Sequence, residues 1–335
     1  MQSQSIGRYV SARQELGNER ANKLADLFGQ FKLLPSFGNH VGFASLYVTG
    51  RCHLSCPHCY AEEEFAGLTK DASTEQMIAI INFLCTVTKR VQLTGGEIFM
   101  RVDPESKRND TLLLVDEIFK RDRETIMQTT GMHLTDKMLD FCATRNVEWF
   151  SLSLDGPDIE SNNLIRGKDE AFTKTLELIP KLKRRGFKVK VGTTITAITA
   201  DRDQLFRLGE MITGLGVDNW KITQFFGREA GRASGENAHW LNISDATYKK
   251  VAEEMVCQFG SKICVTTHSL SDFSASPALL VQPTGVITVT QGTKDIFVGN
   301  ILQDTPERIL ENLRSLGGLS TISMNAQKTY RKELL

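Results

Sequence analysis

Six short apolar segments that alternate with helix-like segments constrain the fold of this chain most strongly. The segments patterned as strands are 43–49, 90–94, 125–130, 148–154, 188–196 and 219–225. The helix-like segments between them are 74–88, 111–120, 135–143, 172–185 and 203–215. This alternation predicts repeated βα units and a parallel sheet. Six units favour a partial (β/α)6 barrel of the TIM type over an open sheet, although periodicity alone does not separate the two.

Four parts are expected along the chain. They are an N-terminal helical segment (1–40), the barrel (41–238), a small α+β appendage (239–318) and a polar tail (319–335). The segment FFGREAGRASGENAH connects barrel and appendage, because its glycines and polar residues are typical of a loop. In the appendage we expect a helix at 244–258, short strands that include 262–268, and a closing helix at 305–316.

Composition excludes several classes of protein. The 335 residues are 41% hydrophobic and 24% charged, and the 40 basic residues balance the 40 acidic ones, as in an ordinary globular protein. A net charge of +0 gives no general reason to bind nucleic acid or an anionic membrane. The sequence shows neither a signal-peptide pattern nor an apolar run of about 20 residues. We therefore expect a cytoplasmic protein without nucleic-acid or membrane partners.

Three of the seven cysteines, Cys52, Cys56 and Cys59, follow the first predicted strand with the spacing C-x3-C-x2-C. Three thiolates can hold three irons of a [4Fe–4S] cluster and leave the fourth iron open to a small ligand. A structural zinc site is the alternative, with His53 or His58 as a fourth ligand. The placement favours the cluster, because a βα barrel builds its chemistry at the carboxyl ends of its strands.

Further motifs follow in order, and with them the chain resembles the radical S-adenosylmethionine (SAM) superfamily. They are LTGGE (93–97) at the end of the second strand, SLSLDG (151–156) at the end of the fourth, and LIRGKDEAF (164–172). The last of these is similar to a stretch of peptide-modifying members. The resemblance implies one [4Fe–4S] cluster on the three cysteines, with SAM bound at the open iron.

The resemblance also implies the SAM-binding residues. They are His58, Gly95, Gly96, Glu97, Thr129, Ser151, Ser153, Asp155, Arg166 and Thr194. Glycines at 95 and 96 let backbone approach the ligand closely, and Glu97 offers an acceptor to the methionyl ammonium. Arg166 is expected to pair with the methionyl carboxylate. The alternative explanation is strand alternation for the two serines and a turn for Asp155.

The implied chemistry starts with one electron from the reduced cluster, supplied by an external donor such as flavodoxin or ferredoxin. The electron cleaves SAM to methionine and a 5′-deoxyadenosyl radical, which abstracts hydrogen from the substrate. The protein orients the cofactor and excludes water.

The appendage resembles the SPASM or twitch domain of peptide-modifying relatives, which binds auxiliary clusters. Those relatives carry cysteines before and after its hairpin. Here the later position is Thr290, and 270–335 contains no cysteine. We therefore expect a degenerate SPASM-like fold and one cluster in the whole chain. Cys257 and Cys264 remain nearby, either as structural cysteines or as hydrogen donors to a substrate radical.

Three functions compete at this stage. The first is radical SAM chemistry on a peptide substrate of the ribosomally made, modified type. The second is the same chemistry on a small metabolite such as a sugar, nucleoside or amino acid, for example a decarboxylation or rearrangement. The third is a non-catalytic iron–sulfur or zinc scaffold.

Overall fold

The computed structural model describes residues 44–60, 71–228, 231–275, 278–291 and 294–316. Its strands are β1 (Ala44–Thr49), β2 (Arg90–Gly95), β3 (Glu124–Gln128), β4 (Val147–Ser153), β5 (Lys188–Ile195), β6 (Asn219–Gln224), β7 (Cys264–His268), β8 (Ala278–Val281), β9 (Val286–Gln291) and β10 (Lys294–Asn300). The helices are α1 (Thr74–Val87), α2 (Thr111–Phe119), α3 (Asp136–Ala143), α4 (Ile159–Arg166), α5 (Asp169–Arg184), α6 (Arg202–Gly214), α7 (Gly235–Leu241), α8 (Asp245–Phe259), α9 (Leu270–Ala275) and α10 (Pro306–Ser315). The expected segments 1–40 and 319–335 lie outside the described residues.

All described strands join one mixed sheet. Its order is β10-β9-β8-β1-β2-β3-β4-β5-β6-β7. From β1 to β7 the neighbours pair in parallel and in chain order, and β8 joins the other side of β1, also in parallel. β9 and β10 add antiparallel strands beyond β8. The sheet does not close, because β7 and β10 remain its edges. This confirms the expected fold class, an α/β partial barrel with a small appended hairpin.

One strand differs from its expected place. Cys264–His268, expected in the appendage, pairs in parallel with β6 and extends the barrel sheet. The chain reaches it through α8, whose buried Tyr248 donates a hydrogen bond from its hydroxyl to the Ile222 carbonyl and accepts one from the His268 amide. These bonds fix helix and strand as one more βα unit. The domain bounds proposed from sequence stay a prediction.

The two faces of the barrel strands have different environments. One face carries apolar side chains such as Leu46, Leu93, Phe150, Val191 and Trp220, which join the main core with the helices. The opposite face points into the lumen of the partial barrel and is largely polar. It carries the side chains of Gln92, Ser151, Lys190 and Asn219, all buried. The alternation of apolar and polar residues along β5 and β6 therefore separates a packed outer layer from a polar interior.

No helix among the described residues is long and apolar enough to cross a lipid bilayer.

A fully buried arginine fixes the end of β1. Arg101 donates hydrogen bonds to the Val48 carbonyl at 2.9 Å and the Ala72 carbonyl at 2.7 Å, and its guanidinium lies 2.8 Å from the Asp110 carboxylate. It thereby joins the strand that precedes the cysteine loop to the segment before α1 and the residue before α2. A buried charge with these partners is expensive to unpair.

We predict that Arg101→Met destabilises the fold by about 3–5 kcal/mol, because it leaves the Asp110 carboxylate buried without its counter-charge. Urea unfolding under anaerobic conditions measures this loss. Arg207→Met is the matched control, since Arg207 pairs with Asp158 on the surface and should change stability by less than about 0.5 kcal/mol. Equal effects of the two variants would contradict the structural role of Arg101.

Candidate functional site

The cysteine loop leaves the carboxyl end of β1 and turns over the mouth of the barrel. The Cys59 amide donates to the Cys56 carbonyl at 3.2 Å, and the Leu54 amide approaches the Cys52 sulfur at 3.4 Å. Burial raises the pKa of the Cys52 and Cys56 thiols. The three cysteines pack with an apolar cluster formed by Leu54, Ala171 and Met132.

The end of β2 lies directly against this loop. The Gly96 amide donates to the Thr49 carbonyl and the Glu97 amide to the Arg51 carbonyl, each at 2.8 Å. A Cβ atom at Gly96 would lie 2.1 Å from the Arg51 carbonyl oxygen, so a larger residue would separate the two segments. The glycines therefore let the end of β2 pack closely against the cysteine loop. From the sequence, we expect them to let the backbone approach the ligand.

Glu97 is fully buried at this junction. One carboxylate oxygen accepts from the Thr129 hydroxyl at 2.6 Å and the Phe99 amide at 3.2 Å. The other accepts from the Thr130 amide at 2.7 Å and the Thr130 hydroxyl at 2.6 Å. These donors use the four acceptor directions that a carboxylate offers. Glu97 therefore ties the end of β2 to the end of β3.

A second buried carboxylate, Asp155, ties the other side of the mouth together. It accepts from the Thr194 amide at 2.8 Å and from Arg166 Nε at 2.6 Å. The Arg166 guanidinium also points a nitrogen at the Cys56 sulfur, 3.9 Å away. The charge of Arg166 opposes the effect of burial on the pKa of Cys56. The ends of β4 and β5 are thereby connected to the cysteine loop through one arginine.

His58 lies buried beside this pair. Its Nε2 is 4.0 Å from the Asp155 carboxylate, and its Nδ1 is buried without a hydrogen-bond partner among the described residues. Burial, together with the Arg166 charge, lowers the pKa of His58 to about 4, so the ring is neutral near pH 7. His53 is turned elsewhere, with Nδ1 3.4 Å from the Met100 sulfur.

The donor set and its surroundings fit a [4Fe–4S] cluster. Across the described part of the chain, no three His, Cys, Asp or Glu side chains are arranged to hold one metal ion. A cubane has a different requirement, because each cysteine binds its own iron. Three free thiols in an apolar surround, an arginine near one sulfur and a buried imidazole nitrogen without a partner match a cluster with an additional polar ligand.

The remaining expected residues are two serines, two threonines and two cysteines. Ser151 and Ser153 point from β4 into the lumen, and Thr194 follows on the same face of β5. Thr129 is buried and used by Glu97. The structure does not bring Cys257 to the site, because it is exposed on the outer helix α8. Cys264 lies on β7, where the Asn219 side-chain amide donates to its sulfur at 3.3 Å.

The hairpin formed by β9 and β10 lies, with β8, on one side of the mouth next to β1. A cavity of about 140 Å³ lies between them, lined by Tyr47 of β1, Tyr60 of the cysteine loop, Phe226 of the connector and residues of β8 and β9. Arg228 of the connector forms an ion pair with Asp295 of β10. Thr290 donates to the same carboxylate at 2.5 Å. The cavity therefore opens next to the residue that follows Cys59.

Sequence reasoning missed several residues of the site. Thr130 donates to the Glu97 carboxylate, and the Asn162 side chain accepts from the Asp155 amide. Neither residue belongs to the motif that contains its partner, so the sequence did not indicate these contacts. Lys190 and Lys221 face the lumen from β5 and β6. The alternation in KVKVG and NWKIT was sufficient to place both lysines opposite the apolar face.

Comparisons with known proteins agree with this geometry. Residues 46–207 match the radical SAM superfamily. The AdoMet-dependent heme synthase of Nitratidesulfovibrio vulgaris is 29% identical over 211 residues, which are 61% of this chain and 52% of that protein. The GTP 3′,8-cyclase of Aliarcobacter butzleri is 27% identical over 176 residues, 52% of each chain. This chain spans about half the length of these curated relatives.

Among solved structures, Streptococcus suis SuiB bound to S-adenosylmethionine superposes with a TM-score of 0.62 at 13% identity, covering 91% of this chain and 75% of SuiB. SuiB bound to its precursor peptide SuiA gives a TM-score of 0.63 at 13% identity, over 86% and 67% of the two chains. At this identity the likeness concerns the fold.

We predict that Asp155→Asn destabilises the fold by about 1–3 kcal/mol. The amide would direct its NH2 group at either Arg166 or the Thr194 amide, both of which are donors. Thermal or urea unfolding measures the loss. Asp140→Asn serves as the control, because Asp140 pairs with Arg185 at the surface. An Asp155→Asn protein as stable as the control would show that this carboxylate does not hold the strand ends.

Proposed function

Since the chain carries a radical SAM domain, we propose that it is an enzyme that cleaves SAM reductively and abstracts hydrogen from a peptide substrate. The observation that carries this proposal is the cysteine loop held between two buried carboxylates at the mouth of the barrel. One [4Fe–4S] cluster, bound through Cys52, Cys56 and Cys59, would supply the electron that converts SAM to methionine and a 5′-deoxyadenosyl radical.

The residues of the chain would bind and orient SAM. His58, neutral and with an unpartnered nitrogen among the described residues, suits contact with adenine. Ser151, Ser153 and Thr194 offer hydroxyl groups on the lumen face. Arg166 keeps N–H groups beyond those that contact Asp155 and Cys56, and these suit the methionyl carboxylate. Glu97 supplies a negative charge near the ammonium, although its acceptor positions are already used by protein donors.

A peptide substrate is supported by the likeness to the fold of SuiB and by the cavity beneath the hairpin. The cavity lies between the cysteine loop and the hairpin, where an extended chain could enter. The names of the relatives favour the second candidate, the same chemistry on a small metabolite, because heme synthase and GTP cyclase act on small molecules. A non-catalytic scaffold is the remaining alternative.

An external one-electron donor such as flavodoxin or ferredoxin would reduce the cluster. We infer a cytoplasmic location, since the cysteines among the described residues are all unpaired, as in a reducing compartment.

The first test is anaerobic reconstitution followed by iron analysis and assay of 5′-deoxyadenosine. We expect about four irons per chain and SAM cleavage after reduction. A variant with Cys52, Cys56 and Cys59 replaced by alanine should lose both, whereas Cys257→Ala, which alters an exposed cysteine, should keep both. Iron near eight per chain would overturn the single cluster, and a loaded protein that releases no 5′-deoxyadenosine would favour the scaffold.

The second test concerns Glu97. Glu97→Gln removes the buried negative charge, so in protein that iron analysis shows to be loaded with the cluster, SAM affinity should fall by about tenfold or more. Equilibrium titration with SAM measures the affinity. Thr130→Val is the matched control, because it removes one hydrogen bond to Glu97 and leaves the charge. Unchanged SAM affinity in Glu97→Gln would remove this residue from the SAM site.

A further inference from the structure

Four residues form one row across β4, β5, β6 and β7 on the lumen face. Ser153 pairs with Gly192, Gly192 with Lys221, and Lys221 with Thr266. Paired residues of neighbouring strands point to the same side of a sheet. The row lies at the carboxyl end of β4 and at the middle of β5, β6 and β7, below the mouth where barrel enzymes bind their substrates.

Two lysines and a histidine share this part of the lumen. Lys190, one row further from the mouth, is buried, and His268 lies one row nearer the mouth on β7. The described residues place no carboxylate within ion-pair distance of Lys221. The acidic group that acts on it is Asp272 of α9, whose carboxylate accepts from the amide and hydroxyl of Ser269 at 2.8 and 2.7 Å.

Both Lys221 and His268 have a lowered pKa in this surrounding. Burial, followed by the Lys190 charge, lowers the pKa of Lys221 to about 7, and Asp272 acts in the opposite direction. Burial and then the charges of Lys221 and Lys190 lower the pKa of His268 to about 2. An anion beside the lysines would relieve this repulsion, because an opposite charge favours the protonated form.

The lumen is open beside the backbone of Gly192. A Cβ atom built on Gly192 would meet a single neighbour within 4 Å, the Leu152 carbonyl oxygen at 3.7 Å. Glycine inside a strand weakens it, and it often marks a place where a ligand approaches the backbone. Here the open position lies at Gly192, between Ser153 and Lys221 in the pairing of the strands.

We propose that Lys221, supported by Lys190, binds an anionic group of the substrate in the space over Gly192. The group is a carboxylate or a phosphate. This inference rests on the proposed function, since it names the chemical class that the same barrel mouth accepts. A substrate held there by its anionic end would direct its remaining atoms towards Ser153 and the cysteine loop.

Calorimetric titration of the anaerobically reconstituted protein with glutarate and with inorganic phosphate tests the proposal. The uncharged control for glutarate is 1,5-pentanediol. We expect at least one anion to bind saturably and the diol not to bind. Lys221→Met should weaken the anion at least tenfold, whereas Lys249→Met, at an exposed position of α8, should leave it unchanged. Binding of glutarate alone assigns a carboxylate, and binding of phosphate alone assigns a phosphate group.

Two further measurements distinguish loss of the anion site from misfolding of the Lys221→Met protein and from a general change in its charge. Gly192→Leu retains both lysines but fills the space, and it should also weaken the anion at least tenfold. About one pH unit above the pKa of Lys221, binding should draw a proton into the wild-type site, which calorimetry in two buffers of different ionisation enthalpy detects. Lys221→Met should take up no proton.

The proposal is overturned if neither anion binds the wild type, if the diol binds as well as glutarate, or if Lys221→Met and Lys249→Met behave alike. None of these titrations requires SAM cleavage. A protein that cleaves SAM but binds no anion would therefore reject this inference alone. A protein that binds the anion but never cleaves SAM would reject the proposed function.

Discussion

The buried carboxylate of Glu97 is the constraint on which the arrangement of the barrel mouth depends. It can be buried because four donors from the segment after β2 and from the end of β3 surround it. Those donors reach it only if β2 ends close against β1, and Gly95 permits this with φ of 122°, where a Cβ would lie 2.4 Å from the Thr49 carbonyl oxygen. Gly95, Gly96 and Glu97 therefore act together to position the cysteine loop.

Asp155 connects the strand ends on the other side of the cysteine loop. Unlike Glu97, it is paired with a positively charged side chain. Its charge is balanced by Arg166, which also approaches the Cys56 sulfur. Hydrogen bonds to the sulfurs of an iron–sulfur cluster help to set its reduction potential. The same guanidinium that joins β4 and β5 to the loop would therefore influence the electron affinity of a bound cluster, so structural and chemical roles of Arg166 are not separable.

The sequence predicted the barrel strands β1 to β6 closely, because each is a short apolar segment between helix-like segments. It missed α4, since IESNNLIR is polar and its start depends on the capping of Ser161 by Asp158. β7 was expected in the appendage because the glycine-rich connector resembles a domain boundary, whereas a parallel partner 45 residues away on β6 decides its place. Glu97 was found from its motif, but its partner Thr130 depends on the pairing of β2 with β3, which no local pattern contains.

The charges of the lumen are arranged in two levels with different consequences. At the floor, Arg90 pairs with Glu124 and lies 3.5 Å from Glu148, which also accepts from Lys188 at 3.1 Å. These four charges cancel at the amino-terminal ends of β2 to β5. Above them Lys221 has no carboxylate at ion-pair distance among the described residues. The lysines of the lumen therefore lie between the neutral floor and the mouth, and an anionic substrate would be attracted to the level of Lys190 and Lys221.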